Sequence, residues 1–158
     1  MSSSEVLLLA FLIGLVAGLR SLMAPTAVAW GAHLGWINLH GTPLKFMGSA
    51  LGVGFFSVLA LVELAADKLS STPARTKPAG LMARILLGGL AGAALALAGA
   101  QPWMLGGVLG GIGAIMGAFG GYKIRTGLVK ALKVPDIVIA LLEDAVAIAA
   151  ALLIVSRF

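Results

Sequence analysis

The residues able to do chemistry in this chain are few, and they stand where charge is costly. Glu143 and Asp144 lie side by side inside the run from Val138 to Val155, which is otherwise apolar. A carboxylate inside a membrane span must find a cation, a proton or a basic side chain. A second apolar run carries Glu63, with Asp67 four residues further on, so the two share one helix face. Arg20 closes the first apolar run. Two kinds of chemistry follow. Glu63, Asp67, Glu143 and Asp144 could hold a small cation or exchange protons. Alternatively, Arg20, Lys68, Arg75 or Arg125 could neutralise them. Adjacent residues point about 100° apart on a helix, so at most one of Glu143 and Asp144 can aim at a bundle centre. The other must reach a neighbouring helix, the basic segment before the last span, or a symmetry mate.

Composition says what positions these groups. The 158 residues are 60% apolar and 11% charged, against about 25% charged in soluble domains. The apolar residues fall into long blocks, which read as membrane spans. The expected fold is therefore all-α: a polytopic membrane helical bundle of about five transmembrane helices, over 6–23, 46–66, 84–100, 103–122 and 136–155, in one domain covering 1–158. There are no cysteines, which excludes disulfides, thiolate metal sites and cysteine nucleophiles. The net charge of +5 lies between apolar runs, where membrane topology explains it without a nucleic-acid partner. Met1-Ser-Ser-Ser-Glu5 lacks a basic leader, so the first run reads as a retained span.

Pro25 is expected to stop the first helix at Ala24. The segment 26–42 then reads as a loop, with a short interfacial or re-entrant helix somewhere in Ala27 to Trp36. Trp30 and Trp36 suit an aromatic belt. His33 and His40 are seven apart, but Gly35 and Gly41-Thr-Pro43 argue against one continuous helix. No carboxylate lies near enough to complete a metal site, so interfacial histidines are the reading, and no metal or other cofactor is expected. Gly14 and Gly18, Gly88 and Gly92, and then Gly106, Gly110, Gly113, Gly117 and Gly121 make flat faces for close helix contact. Spans three and four read as a hairpin whose seam serves this chain or a symmetric copy. A homo-oligomer, most simply a dimer, is expected.

Five spans would put the N-terminus and the 67–84 and 121–135 loops on one side. Lys68, Arg75, Lys77, Arg84, Lys123, Arg125, Lys130 and Lys133 would stand there, against Arg20, Lys45 and Arg157 opposite. That bias places the N-terminus in the cytoplasm and the C-terminus outside. Gly14-Leu-Val-Ala-Gly18 is like Gly113-Ala-Ile-Met-Gly117, and Val58-Leu-Ala-Leu-Val-Glu63 is like Val138-Ile-Ala-Leu-Leu-Glu143. These likenesses allow an inverted internal repeat of the kind transporters use.

Four groups of strings carry a resemblance over nearly the whole chain: Gly18-Leu-Arg-Ser21 with Ala24-Pro25; Glu63-Leu-Ala-Ala-Asp-Lys68 with Thr72-Pro-Ala-Arg-Thr76; Gly120-Gly-Tyr122 with Arg125; and Leu142-Glu-Asp-Ala-Val-Ala-Ile148. Together they resemble an uncharacterised bacterial integral membrane protein family, domain of unknown function 4126. Family members often read Leu/Ile-Pro after Asp-Lys, where this chain has Leu69-Ser70. The resemblance implies a multi-pass protein of the bacterial inner membrane and implies no activity.

Transport or conduction of a small ion or solute through the carboxylates is the leading functional expectation. A non-transporting scaffold held by structural ion pairs is the alternative. A third reading is a lipid-binding protein whose basic rim, formed by Arg75, Lys77, Arg84, Lys123 and Arg125, holds an anionic headgroup. No zinc-binding helix, nucleophile elbow or phosphate loop is present in the sequence, so an enzyme is not expected.

Overall fold

The computed structural model describes residues 1–66 and 76–158, and among them it contains α-helices and one short 3₁₀ turn. The helices are α1 (Ser3–Leu19), α2 (Met23–His33), α3 (Ala50–Ala66), α4 (Pro78–Ala98), α5 (Trp103–Leu132) and α6 (Asp136–Val155), with the 3₁₀ turn Lys45–Gly48 before α3. The helices α4, α5 and α6 are each long and apolar enough to cross a membrane, and α1 and α3 are shorter apolar helices of 17 residues. The chain is an integral membrane protein with an all-helical fold.

Glycine sets the centre of the bundle. A Cβ on Gly14 would lie 2.1 Å from the carbonyl oxygen of Gly110, and one on Gly110 would lie 2.2 Å from that of Gly88. Gly18 faces Ala114 and Gly117, while Gly92 faces Gly106. The backbones of α1, α4 and α5 therefore touch directly, as small-residue faces allow in lipid. The seam read from the sequence closes within this chain, so these faces give no ground for a symmetric copy.

Side-chain contacts fix the direction of every helix. Ser3 meets Gln101, and Gly99 packs on Val6, so α1 begins where α4 ends and α5 starts. At the far end Arg84 of α4 donates to the carbonyl of Gly18. The chain turns at Arg20–Leu22 and α2 runs back: Gly31 lies against Val155 at the end of α6. α3 returns, with Ser57 beside Trp30 and Glu63 beside Ser21. Successive helices thus alternate in direction from α1 to α6.

This arrangement corrects four expectations. The first helix stops at Leu19, not Ala24, and Pro25 is the third residue of α2, where its missing N–H would have had no helical acceptor. The helix in the 26–42 segment is not laid on a surface: eight of its eleven residues are buried in the bundle. Because α2 is a returning element, both termini point towards the end opposite Arg20, Arg84 and Arg125, so an N-terminus grouped with the basic loops does not hold. Finally, α1 and α5 run in the same direction whereas α3 and α6 run oppositely, so no single inversion relates the two likenesses seen in the sequence.

The basic segment 121–135 is also not a loop. α5 continues through it as helix to Leu132, because Lys, Arg, Leu and Ala favour helix and a lone Gly127 is tolerated. Lys133 ends it in the left-handed conformation, two residues before Pro135.

The glycine seam is tested by thermal unfolding in detergent. Gly110→Val should lower stability by about 1–3 kcal/mol or more, as overpacking does. Gly127→Ala, whose Cβ meets nothing within 4 Å, should be neutral or stabilising by about 0.5–1 kcal/mol.

Candidate functional site

The charged groups converge on the break between α1 and α2. Arg20 caps the C-terminus of α1 with extended backbone (φ −138°, ψ 109°), and its N–H donates to the carbonyl of Val16 at 2.8 Å. Its side chain is wholly buried. A charge so placed is stable only beside an opposite charge. Asp144 of α6 supplies it: Nε of Arg20 donates to Oδ1 of Asp144 at 2.5 Å. Glu143 stands between two guanidiniums, its Oε2 3.8 Å from Nη2 of Arg20 and 3.5 Å from Nη1 of Arg125. The adjacent acids thus take the divergent directions that helical geometry demands. One aims at the break and the other sits between the break and α5.

Arg125 has a further partner in Asp136, the first residue of α6. Nε donates to Oδ1 at 2.9 Å and Nη2 to Oδ2 at 2.6 Å, a two-point fork. Asp136 is the acid in the first turn of α6, where the helix dipole favours it; its role as a clamp on α5 depends on α5 continuing past Tyr122, beyond the span expected over 103–122. Arg84 is likewise buried, with Nε donating to Gly18 and Nη1 to Gly80. It ties α4 to the last turn of α1.

Glu63 approaches the break from the third side. The N–H of Ser21 donates to Oε1 at 2.8 Å and the N–H of Leu22 donates to Oε2 at 2.8 Å, while the Ser21 hydroxyl also donates to Oε1. Leu22 is the residue before α2 and offers no capping side chain. Glu63 therefore caps α2 from another helix, where the helix dipole favours an anion. No local pattern could announce this cap, since donor and acceptor are 42 residues apart.

The structure thus brings Glu63, Glu143 and Asp144 to one break, with Arg20 and Arg125 as partners of Glu143 and Asp144 and with Ser21 and Leu22 as partners of Glu63. Asp67, Lys68 and Arg75 lie outside the described residues. The ring Nδ1–H of His33 donates to the carbonyl oxygen of Gly48 at 2.9 Å, which pins the end of α2 to the turn before α3. Among the described residues no group of three or more His, Asp and Glu is placed to hold a metal ion. Beside the break, α2, α3 and α6 border an apolar cleft of about 300 Å³, lined by Met23, Ala27, Leu61, Leu64, Ile148 and Leu152 among others.

The model of the family described as "Domain of unknown function (DUF4126)" matches residues 7–156, nearly the whole chain. No curated protein and no solved structure matches it.

If the Arg20–Asp144 pair holds the break, Arg20→Met and Asp144→Ala should each cost about 3–5 kcal/mol, the scale for stranding one partner of a buried pair. The double variant should cost clearly less than the sum. Unfolding of the four proteins in the same detergent measures this coupling, and strict additivity would show that the pair is not coupled.

Proposed function

The chain belongs to the DUF4126 family, and we propose that it moves protons, alone or with a small ion, across the membrane through the break between α1 and α2. One observation carries this reading. Arg20 is a fully buried cation on extended backbone between two antiparallel helices, and it faces carboxylates from a third. Ionisable groups buried among membrane helices mark ion and proton pathways in many transporters.

The pairing favours a proton over a metal cation. A metal ion would have to displace an arginine from Asp144 or Glu143, or backbone donors from Glu63. A proton needs only to reach a carboxylate oxygen. Protonating Asp144 discharges one side of the pair and frees Arg20 to turn to Glu143. Protonating Glu63 weakens its hold on the start of α2. In this mechanism the acids are the proton carriers and Arg20 is the fixed counter-charge.

A structural network is the second reading, and the Glu63 cap favours it specifically. Two N–H groups and a hydroxyl already meet that carboxylate, as they would in a purely architectural role. Proteoliposomes separate the two. Transport predicts that a pH gradient drives flux through the wild type and that Glu143→Gln or Asp144→Asn abolishes it while the protein stays folded. A wild type that carries no pH-driven flux, with Glu63→Gln less stable by about 1–3 kcal/mol, would replace transport with the structural reading.

We further infer the orientation. Among the described residues, Arg20, Lys77, Arg84, Lys123, Arg125, Lys130 and Lys133 stand towards one end, against Lys45 and Arg157 towards the other. The rule that basic segments stay inside then places the break on the cytoplasmic side and both termini outside. The chain has no native cysteine, so single Ser2→Cys and Ser156→Cys variants should react with an impermeant thiol reagent added outside. Lys133→Cys should react only after the membrane is opened.

A further inference from the structure

We propose that the last third of α5 is a binding surface for anionic phospholipid, read by Lys123 and Lys130 with Lys133 at its end. The argument starts from length. α5 has 30 residues, about 45 Å of helix, whereas the hydrocarbon layer is about 30 Å thick and the bilayer with its headgroups about 40–45 Å. Trp103 begins the helix and Tyr122 lies 19 residues later, about 28 Å along it. These two aromatic side chains fit the two edges of the hydrocarbon layer. The residues after Tyr122 then enter the headgroup layer, about 5–8 Å thick on that side, and the last turns of α5 reach its aqueous edge, where lysines still feel the anionic surface.

That segment has three faces. Arg125 turns to α6, where Asp136 and Glu143 hold it. Ile124, Leu128 and Leu132 recur every four residues on a second face, all exposed. Lys123 and Lys130, seven apart, share a third, with Gly127 between them and open space around it. No Asp or Glu occurs from Lys123 to Lys133. Exposed lysines where the helix leaves the hydrocarbon layer, with no acid among them, match the phosphates of an anionic leaflet. Their long stems can lie along the apolar surface of the same turns and carry the ammonium groups to those phosphates.

The surface differs from the basic rim expected from the sequence. Arg84 and Arg125 do not belong to it, because each is engaged within the bundle. The proposal does not depend on proton transport and stands if that reading fails.

A Gly127→Cys variant carrying a fluorescent label reports on this face. The full chain would be reconstituted in phosphatidylcholine vesicles containing a minor fraction of quencher-bearing phosphatidylglycerol or quencher-bearing phosphatidylcholine. Stronger quenching by phosphatidylglycerol is expected at low salt. Replacing lysines 123, 130 and 133 by Gln should weaken that preference by about five-fold for each residue. In the unaltered lysine background, raising the salt should erode it too. Equal quenching by the two lipids would overturn the proposal. So would a preference indifferent to both salt and the lysines. Self-quenching that grows with protein density, whatever the lipid, would assign the face to a second copy of the chain and overturn it as well.

Discussion

A buried guanidinium cannot be left uncompensated in a membrane protein, and much of this architecture answers that one constraint. Arg20 has no exposure to solvent. Its partner must arrive from a neighbouring helix at the right depth, which fixes where α6 lies and which of its turns faces inward. The alternation of directions follows in part: α6 must start beyond the break for Asp144 to reach it, and α5 must overrun the break to deliver the segment that precedes α6. The Arg125–Asp136 fork holds that overrun against α6.

Two different kinds of contact hold the bundle. On one side, α1, α4 and α5 meet through glycine, with backbone against backbone and almost no side-chain volume between. Such contacts are rigid, because there is little to repack. On the other side, α3 packs on α2 and the 3₁₀ turn, and joins the break by the carboxylate of Glu63. Its link to the bundle is therefore narrower and partly electrostatic. Motion, if function needs it, is cheapest on this second side, beside the apolar cleft.

What the sequence revealed and what it hid separate along a physical line. Helical class and membrane residence were legible, because each depends on composition or on short-range period. Glu143 and Asp144 are conspicuous in any reading of Val138 to Val155. A short helix was expected from Ala27 onward, but the start of α2 at Met23 was concealed by Pro25, which breaks a helix interior but sits comfortably in a first turn. Its N-terminal acceptor is Glu63, so the usual local capping signal is missing. The extra length of α5 was concealed by its lysines, which suggest a loop although nothing in them breaks a helix. The grouping of the N-terminus with the basic segments failed with α2, since one uncounted returning helix moves everything before it to the other end of the bundle.

The separation of Arg20 from Asp144 also bears on how the protein is made. The two are 124 residues apart, and the glycines that receive α1 belong to α5. When α1 leaves the ribosome, neither its counter-ion nor its packing surface has been synthesised. Until Asp144 follows, the Arg20 charge lacks its buried partner and is stable only where water reaches it, and the N–H groups of Ser21 and Leu22 lack the Glu63 carboxylate until α3 follows. The break can close completely only after the first half of α6 has emerged. The ion pairs that α6 makes with Arg20 and Arg125 are therefore among the last contacts this chain can form.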